Sequence, residues 1–179
     1  MTSIPSDNNL LLIILGIHIA SGLTCVISGL VAMLSNKVKK VHPAAGRIYY
    51  WGMVFVFITV ILILIMKPPI NIPILILDFF TFLFTYLGKR LARLNNPSRT
   101  RLHIICMGLS YILLLTGFYV DDGKNLPFWN QFSQLFFWLF PSVIGIPIIL
   151  YTLLRYPNSG GRTSAKTDVA KHGAIVKKC

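Results

Sequence analysis

The sequence contains no glutamate. Its acidic residues are five aspartates, set against 17 lysines and arginines, and charged residues of both signs make up 12% of its 179 residues. Soluble domains carry about twice that charged fraction. A water-facing surface of ordinary size is therefore excluded for most of the chain. Cysteine is equally scarce. Cys25, Cys106 and Cys179 are far apart and no C-x-x-C occurs, so neither a disulfide framework nor a zinc site is indicated. Cys179 is the last residue and lacks the three following residues of a prenylation box. The one Asn-x-Ser match, Asn96-Pro97-Ser98, has proline in the forbidden place.

Catalytic signatures are missing too. There is no phosphate-binding glycine-rich loop, no H-E-x-x-H and no G-x-S-x-G. No two carboxylates are placed to act as acid and base, which disfavours a hydrolase or transferase and leaves enzymatic activity undecided.

What is present is apolar. Hydrophobic residues make up 55% of the chain. A helix needs roughly 20 residues to cross about 30 Å of hydrocarbon. Five runs meet that length, at residues 10–34, 47–66, 71–88, 101–120 and 132–154. Backbone polar groups in lipid must be satisfied within the segment, so all five are expected to be helices despite their β-branched residues. The first run lacks a positively charged leader and is too long for a cleaved signal, and so reads as a retained span. The expected fold is all-α: an integral membrane bundle of five transmembrane helices. Residues 1–9 form a short extracytoplasmic N-terminus, residues 10–155 the five-helix domain, and residues 156–179 a flexible basic cytoplasmic tail.

The basic residues supply the orientation. Lys37, Lys39, Lys40 and Arg47 lie between the first two runs. Lys89, Arg90, Arg93, Arg99 and Arg101 lie between the third and fourth. Arg155, Arg162, Lys166, Lys171, Lys177 and Lys178 follow the fifth. The alternate connections hold only Lys67 and Lys124, with Asp121 and Asp122. Cytoplasmic loops carry the excess of Lys and Arg, which gives N-out and C-in. Because the cations cluster between apolar runs, the partner they suggest is an anionic lipid surface and not nucleic acid.

Ionisable residues at membrane depth are costly and mark candidate sites. His18 lies roughly 12 Å into the first span and Asp78 roughly 10 Å into the third, both counted from the outer edge. The shared depth suggests a His18–Asp78 pair with Tyr111 in nearly the same layer, serving proton handling, ligand binding or simple helix packing. His18, Gly22, Cys25 and Gly29 share one face of their helix, and a face of small residues lets a neighbour come close.

His42 and His103 form a second constellation. Each stands at the start of a span that begins on the cytoplasmic side, so the two imidazoles share a depth. Such a pair can supply the axial ligands of a b-type haem, with Arg47 and Arg101 facing its propionates. His18 lies about 24 Å away along its helix and cannot serve the same iron. The competing use is an anion site. His42-Pro43 with basic neighbours at a helix start favours a lipid phosphate.

The stretch "HIASGLTCVISGLVAMLSNKVKKVHPAAGRIYYWGM", followed by "RLHIICM" and a final proline-bearing span, resembles a group of small bacterial integral membrane proteins with a domain of unknown function. The pattern is His-x-x-x-Gly at His18 and Gly22, a lysine-rich stretch at Lys37, His-x-x-x-Gly-Arg-x-Tyr at His42, Gly46, Arg47 and Tyr49, and His-x-x-x-Met at His103 and Met107. It covers about residues 10–156. Pro43 stands where the pattern has arginine, and Ile105 where it has a polar or basic residue. The resemblance implies a bacterial inner membrane protein and no particular activity.

Three functions are consistent with these residues. One is a membrane protein that binds lipid, a membrane partner or a second copy of itself through the His42/Arg47/His103 cluster. Another is a haem-binding or redox protein with His42 and His103 as ligands. The third is a small proton-linked transporter using His18 and Asp78.

Overall fold

A computed structural model describes residues 5–35, 40–67, 71–93, 97–122 and 131–155. Five α-helices account for nearly all of them: α1 (Pro5–Leu34), α2 (Val41–Met66), α3 (Ile72–Ala92), α4 (Pro97–Asp122) and α5 (Gln134–Arg155). No strand occurs among the described residues. Each helix is long and apolar enough to cross a membrane. The tail at 156–179 and the lysines at 37, 39 and 124 lie outside the described residues.

The helices outrun the apolar stretches that predict them. α1 begins at Pro5 and α2 at Val41, ahead of the expected starts at 10 and 47. Hydropathy marks where lipid begins, whereas a helix continues until something breaks it. Proline at the first turn lacks only an N–H that would be unbonded anyway. Pro5, Pro43, Pro73 and Pro97 all lie in first turns. Pro141 and Pro147 fall inside α5 instead.

α1 and α3 each pack against both α2 and α4. This sets α2 opposite α4 in a four-helix bundle, and α5 joins at α4. Isoleucines fill glycine gaps at that last seam: Ile149 packs over Gly108 and Ile112 over Gly145. The small-residue face of α1 is occupied at Cys25 and Gly29, while a Cβ on Gly22 would meet nothing within 4 Å. Cys25 is buried against Gly52 of α2, and Gly29 lies beneath the Tyr111 ring of α4.

The distribution of polarity is inverted relative to a protein in water. Large apolar side chains, mostly Leu and Ile, are exposed along every helix. The buried set includes Ser28, Thr59, Asp78, Thr81, Thr85, Ser110 and Thr116. Apolar side chains gain nothing by leaving lipid, while hydroxyls find partners only between helices. Most of these hydroxyls donate to a carbonyl one turn back, as Thr81 does to Leu77 at 2.7 Å and Thr85 to Thr81 at 2.8 Å.

Candidate functional site

Four helix ends meet at one end of the bundle: the C-terminal ends of α1 and α3, and the N-terminal ends of α2 and α4. His42 comes from the first turn of α2 and His103 from the second turn of α4. Their ring centroids are 6.4 Å apart with the planes at 81°. Each ring is fixed from behind. His42 Nδ1 lies 2.8 Å from the Ala32 carbonyl of α1, and His103 Nδ1 lies 2.7 Å from the Gly88 carbonyl of α3. A carbonyl oxygen only accepts, so both Nδ1 atoms carry the hydrogen and donate. In that tautomer the Nε2 atom of each ring carries the lone pair. Thus all four helices of the bundle contribute, two with imidazoles and two with the carbonyls that orient them.

The residues next to the pair are small. Ala32 and Gly88 touch the rings through their carbonyls, and Ala45 and Gly46 follow His42 by three and four residues on α2. A Cβ placed on Gly46, one turn from His42, would meet nothing within 4 Å, whereas one on Gly88 would stand 2.6 Å from the Met107 sulfur. Space therefore opens beside α2, while α3 and α4 are in close contact. Met107 packs against the core of Cys25, Tyr49, Met53 and Val56.

Two turns deeper, Tyr49 and Ser110 join hydroxyls at 3.1 Å across the bundle. Tyr111 instead donates to the Val26 carbonyl of α1 at 3.1 Å.

The arginines named from the sequence lie differently. Arg47 is exposed and lines a groove between α1 and α2 with Trp51. Arg101 is half-buried near the start of α4. The described contacts bring the two histidines together and leave Arg47 on the outer face.

His18 and Asp78 do not pair. His18 Nδ1 lies 2.9 Å from Thr59 Oγ1 of α2. That hydroxyl gives its own hydrogen to the carbonyls of Phe55 and Val56, so the imidazole is the donor. Asp78 is buried on α3, and its Oδ2 makes no hydrogen bond. His18 bonds Thr59 of α2, Tyr111 bonds the Val26 carbonyl of α1, and Asp78 Oδ2 bonds neither, so the three do not form one hydrogen-bonded cluster.

The groups that reasoning from sequence missed are Thr59, Ser110 and the carbonyls of Ala32 and Gly88. Ser110 had a signal, since it follows His103 at the same spacing at which Tyr49 follows His42. The carbonyls had none, because every residue carries one.

No three His, Cys, Asp or Glu side chains gather to hold a metal among the described residues. Cys25 and Cys106 are both buried free thiols. The fold and site thus define a class: a five-helix protein of membrane-spanning dimensions with an oriented histidine pair at one end. Comparison with protein-family models, with curated proteins and with solved structures finds no match to this chain.

Proposed function

We propose that the chain is a multi-pass protein of a bacterial plasma membrane, N-out and C-in, and that His42 and His103 are the axial ligands of a b-type haem. The observation that carries this reading is the pair of imidazoles 6.4 Å apart, each with Nδ1 held by a backbone carbonyl. A metal between two Nε2 atoms separates ring centres by roughly 6 Å: two metal–nitrogen bonds of about 2 Å and about 1 Å from each nitrogen to its ring centre. Metal-bound histidines almost always donate their other N–H to a carboxylate or carbonyl, which fixes tautomer and orientation. The centroid separation and the two Nδ1–H···O=C bonds support the reading on both counts.

The number of ligands selects the kind of metal group. A protein-only zinc site needs three or four side chains. Haem brings four nitrogens of its own and asks the protein for two. Held by His42 and His103, such a group would supply one-electron transfer. Arg101 is half-buried and two residues from His103 on α4, and it is the candidate partner for a propionate.

Binding of lipid through a single His/Arg cluster has less support, because Arg47 lines a groove away from the imidazole pair. A proton-linked transporter built on His18 and Asp78 has less support for a similar reason: His18 is engaged by Thr59.

The test is the visible spectrum of protein purified in mild detergent after expression with haem supplied. A Soret band that shifts on reduction and disappears in both His42→Ala and His103→Ala is the expected result. A colourless wild-type protein that also fails to take up added hemin overturns the reading.

A further inference from the structure

Between α1 and α2, on the outside of the bundle, runs a groove of about 430 Å³. That is within the range of small-ligand sites. Its floor is Gly52 of α2, where a Cβ would stand 2.5 Å from the Cys25 sulfur and 3.6 Å from the Ser21 carbonyl. Its walls are Ala20 and Ser21 on one side and Trp51 and Phe55 on the other, with Arg47 at the end nearest the start of α2. The groove therefore opens toward lipid along an apolar length and ends in a guanidinium.

Among the described residues no carboxylate pairs with the charge at that end. Arg47 is exposed about 9 Å along the axis from the start of α2. It makes no ion pair or hydrogen bond among the described residues. A second cation stands close by. Lys89 of α3 places Nζ 3.2 Å from the Tyr50 ring centroid and 5.5 Å from that of Trp51, the residue that lines the groove. The described aspartates are elsewhere. Asp7 and Asp78 lie toward the starts of α1 and α3, and Asp121 and Asp122 at the end of α4, all in the other half of the bundle; Asp168 is outside the described residues. Two cations beside an apolar channel call for a ligand with an anionic head and a hydrocarbon tail.

We infer that this groove binds one anionic glycerophospholipid. Arg47 and Lys89 hold its phosphate, Trp51 lies at the level of the glycerol, and an acyl chain runs over Gly52 and beside Phe55. Guanidinium matches a phosphate with parallel N–H donors, and tryptophan favours the boundary between headgroup and tail. The site is distinct from the histidine pair, which lies between α2 and α4, and does not depend on haem.

The test uses the full chain with Trp129→Phe and Trp138→Phe, leaving Trp51 as the single tryptophan. The protein is reconstituted in vesicles of phosphatidylcholine containing either brominated phosphatidylglycerol or brominated phosphatidylcholine, and Trp51 quenching is titrated. Each cation near the surface contributes about 1 kcal/mol toward an anionic lipid, or roughly fivefold in apparent affinity. Wild type is expected to prefer the anionic lipid by at least that factor. Arg47→Gln is expected to lose most of the preference, and Arg47→Gln with Lys89→Gln all of it. Circular dichroism confirms that the variants remain helical, as the exposure of Arg47 leads one to expect. Equal quenching by the two lipids in wild type, or a preference that survives the double variant, overturns the proposal.

Discussion

The hydroxyls of Tyr49 and Ser110 meet at 3.1 Å, fully enclosed, two helical turns past His42 and two past His103. The same face of α2 therefore meets the same face of α4 at two levels, with imidazoles above and hydroxyls below. This contact sets the rotation of both helices, and with it the direction in which the histidines point.

The contribution of that contact is measurable as a coupling. Tyr49→Phe and Ser110→Ala each remove one hydroxyl. Interhelical hydrogen bonds in membrane proteins average about 0.6 kcal/mol and reach about 1.7. A double-mutant cycle in SDS-titrated mixed micelles is expected to return a coupling within that range. Zero coupling would mean that the hydroxyls contribute independently and do not set the helix rotation.

Gly88 connects packing to the site. Its carbonyl accepts from His103, and a Cβ at this position would press on the Met107 sulfur at 2.6 Å. The end of a methionine side chain can move, so Gly88→Ala is expected to be mild. Gly88→Val forces α3 and α4 apart and should destabilise by about 1–3 kcal/mol. Adding Met107→Ala restores room and should recover part of that loss. The pair of variants, followed by unfolding in mixed micelles, separates crowding from a backbone effect: with no rescue by Met107→Ala, steric pressure is not the cause.

How much of this could be read from the sequence depends on which coordinate was needed. Five helices were readable because lipid demands long uninterrupted apolar runs, and the chain has five. Depth was readable from the rise per residue, and it placed His42 and His103 in one layer. Depth alone failed for His18 and Asp78. They sit on α1 and α3, which are not neighbours in the bundle, and equal depth says nothing of rotation about each axis. His18 turns toward Thr59 of α2, a threonine no different in pattern from Thr81 or Thr85. Arg47 shows the same gap. It is close to His42 in sequence, yet points into the groove on the other side of the helix.

The His18–Thr59 bond gives a prediction of its own. Thr59→Val keeps shape and removes the acceptor at 2.9 Å. The loss is expected to be about 0.6–1.7 kcal/mol in micelle unfolding, and Thr59→Ser should recover most of it. A valine variant as stable as wild type would show that the bond contributes nothing to packing.

Asp78 has the opposite sign. A buried polar atom without a hydrogen bond costs about 1–3 kcal/mol, and Asp78 Oδ2 is such an atom. Asp78→Leu is therefore expected to stabilise the protein by about that amount when the same unfolding is followed. Destabilisation by leucine would mean that the carboxyl is held by a partner, and it would reopen this residue as a ligand or proton site.

The last prediction concerns sidedness, because the basic residues and the histidine pair share one end of the bundle. Among the described residues Lys40, Arg47, Lys89, Arg90, Arg93, Arg99, Arg101 and Arg155 lie at that end, and only Lys67 lies at the other. The excess of Lys and Arg near span ends stays in the cytoplasm. A reporter joined after Arg155 follows α5, which runs from the Lys67 end back to the basic end. It is expected to fluoresce as a green fluorescent protein fusion and to be inactive as an alkaline phosphatase fusion. A fusion after Lys67 in a chain truncated there should behave the other way. If the phosphatase after Arg155 is active, the histidine pair faces the exterior, and any electron donor or acceptor for it must be sought on that side.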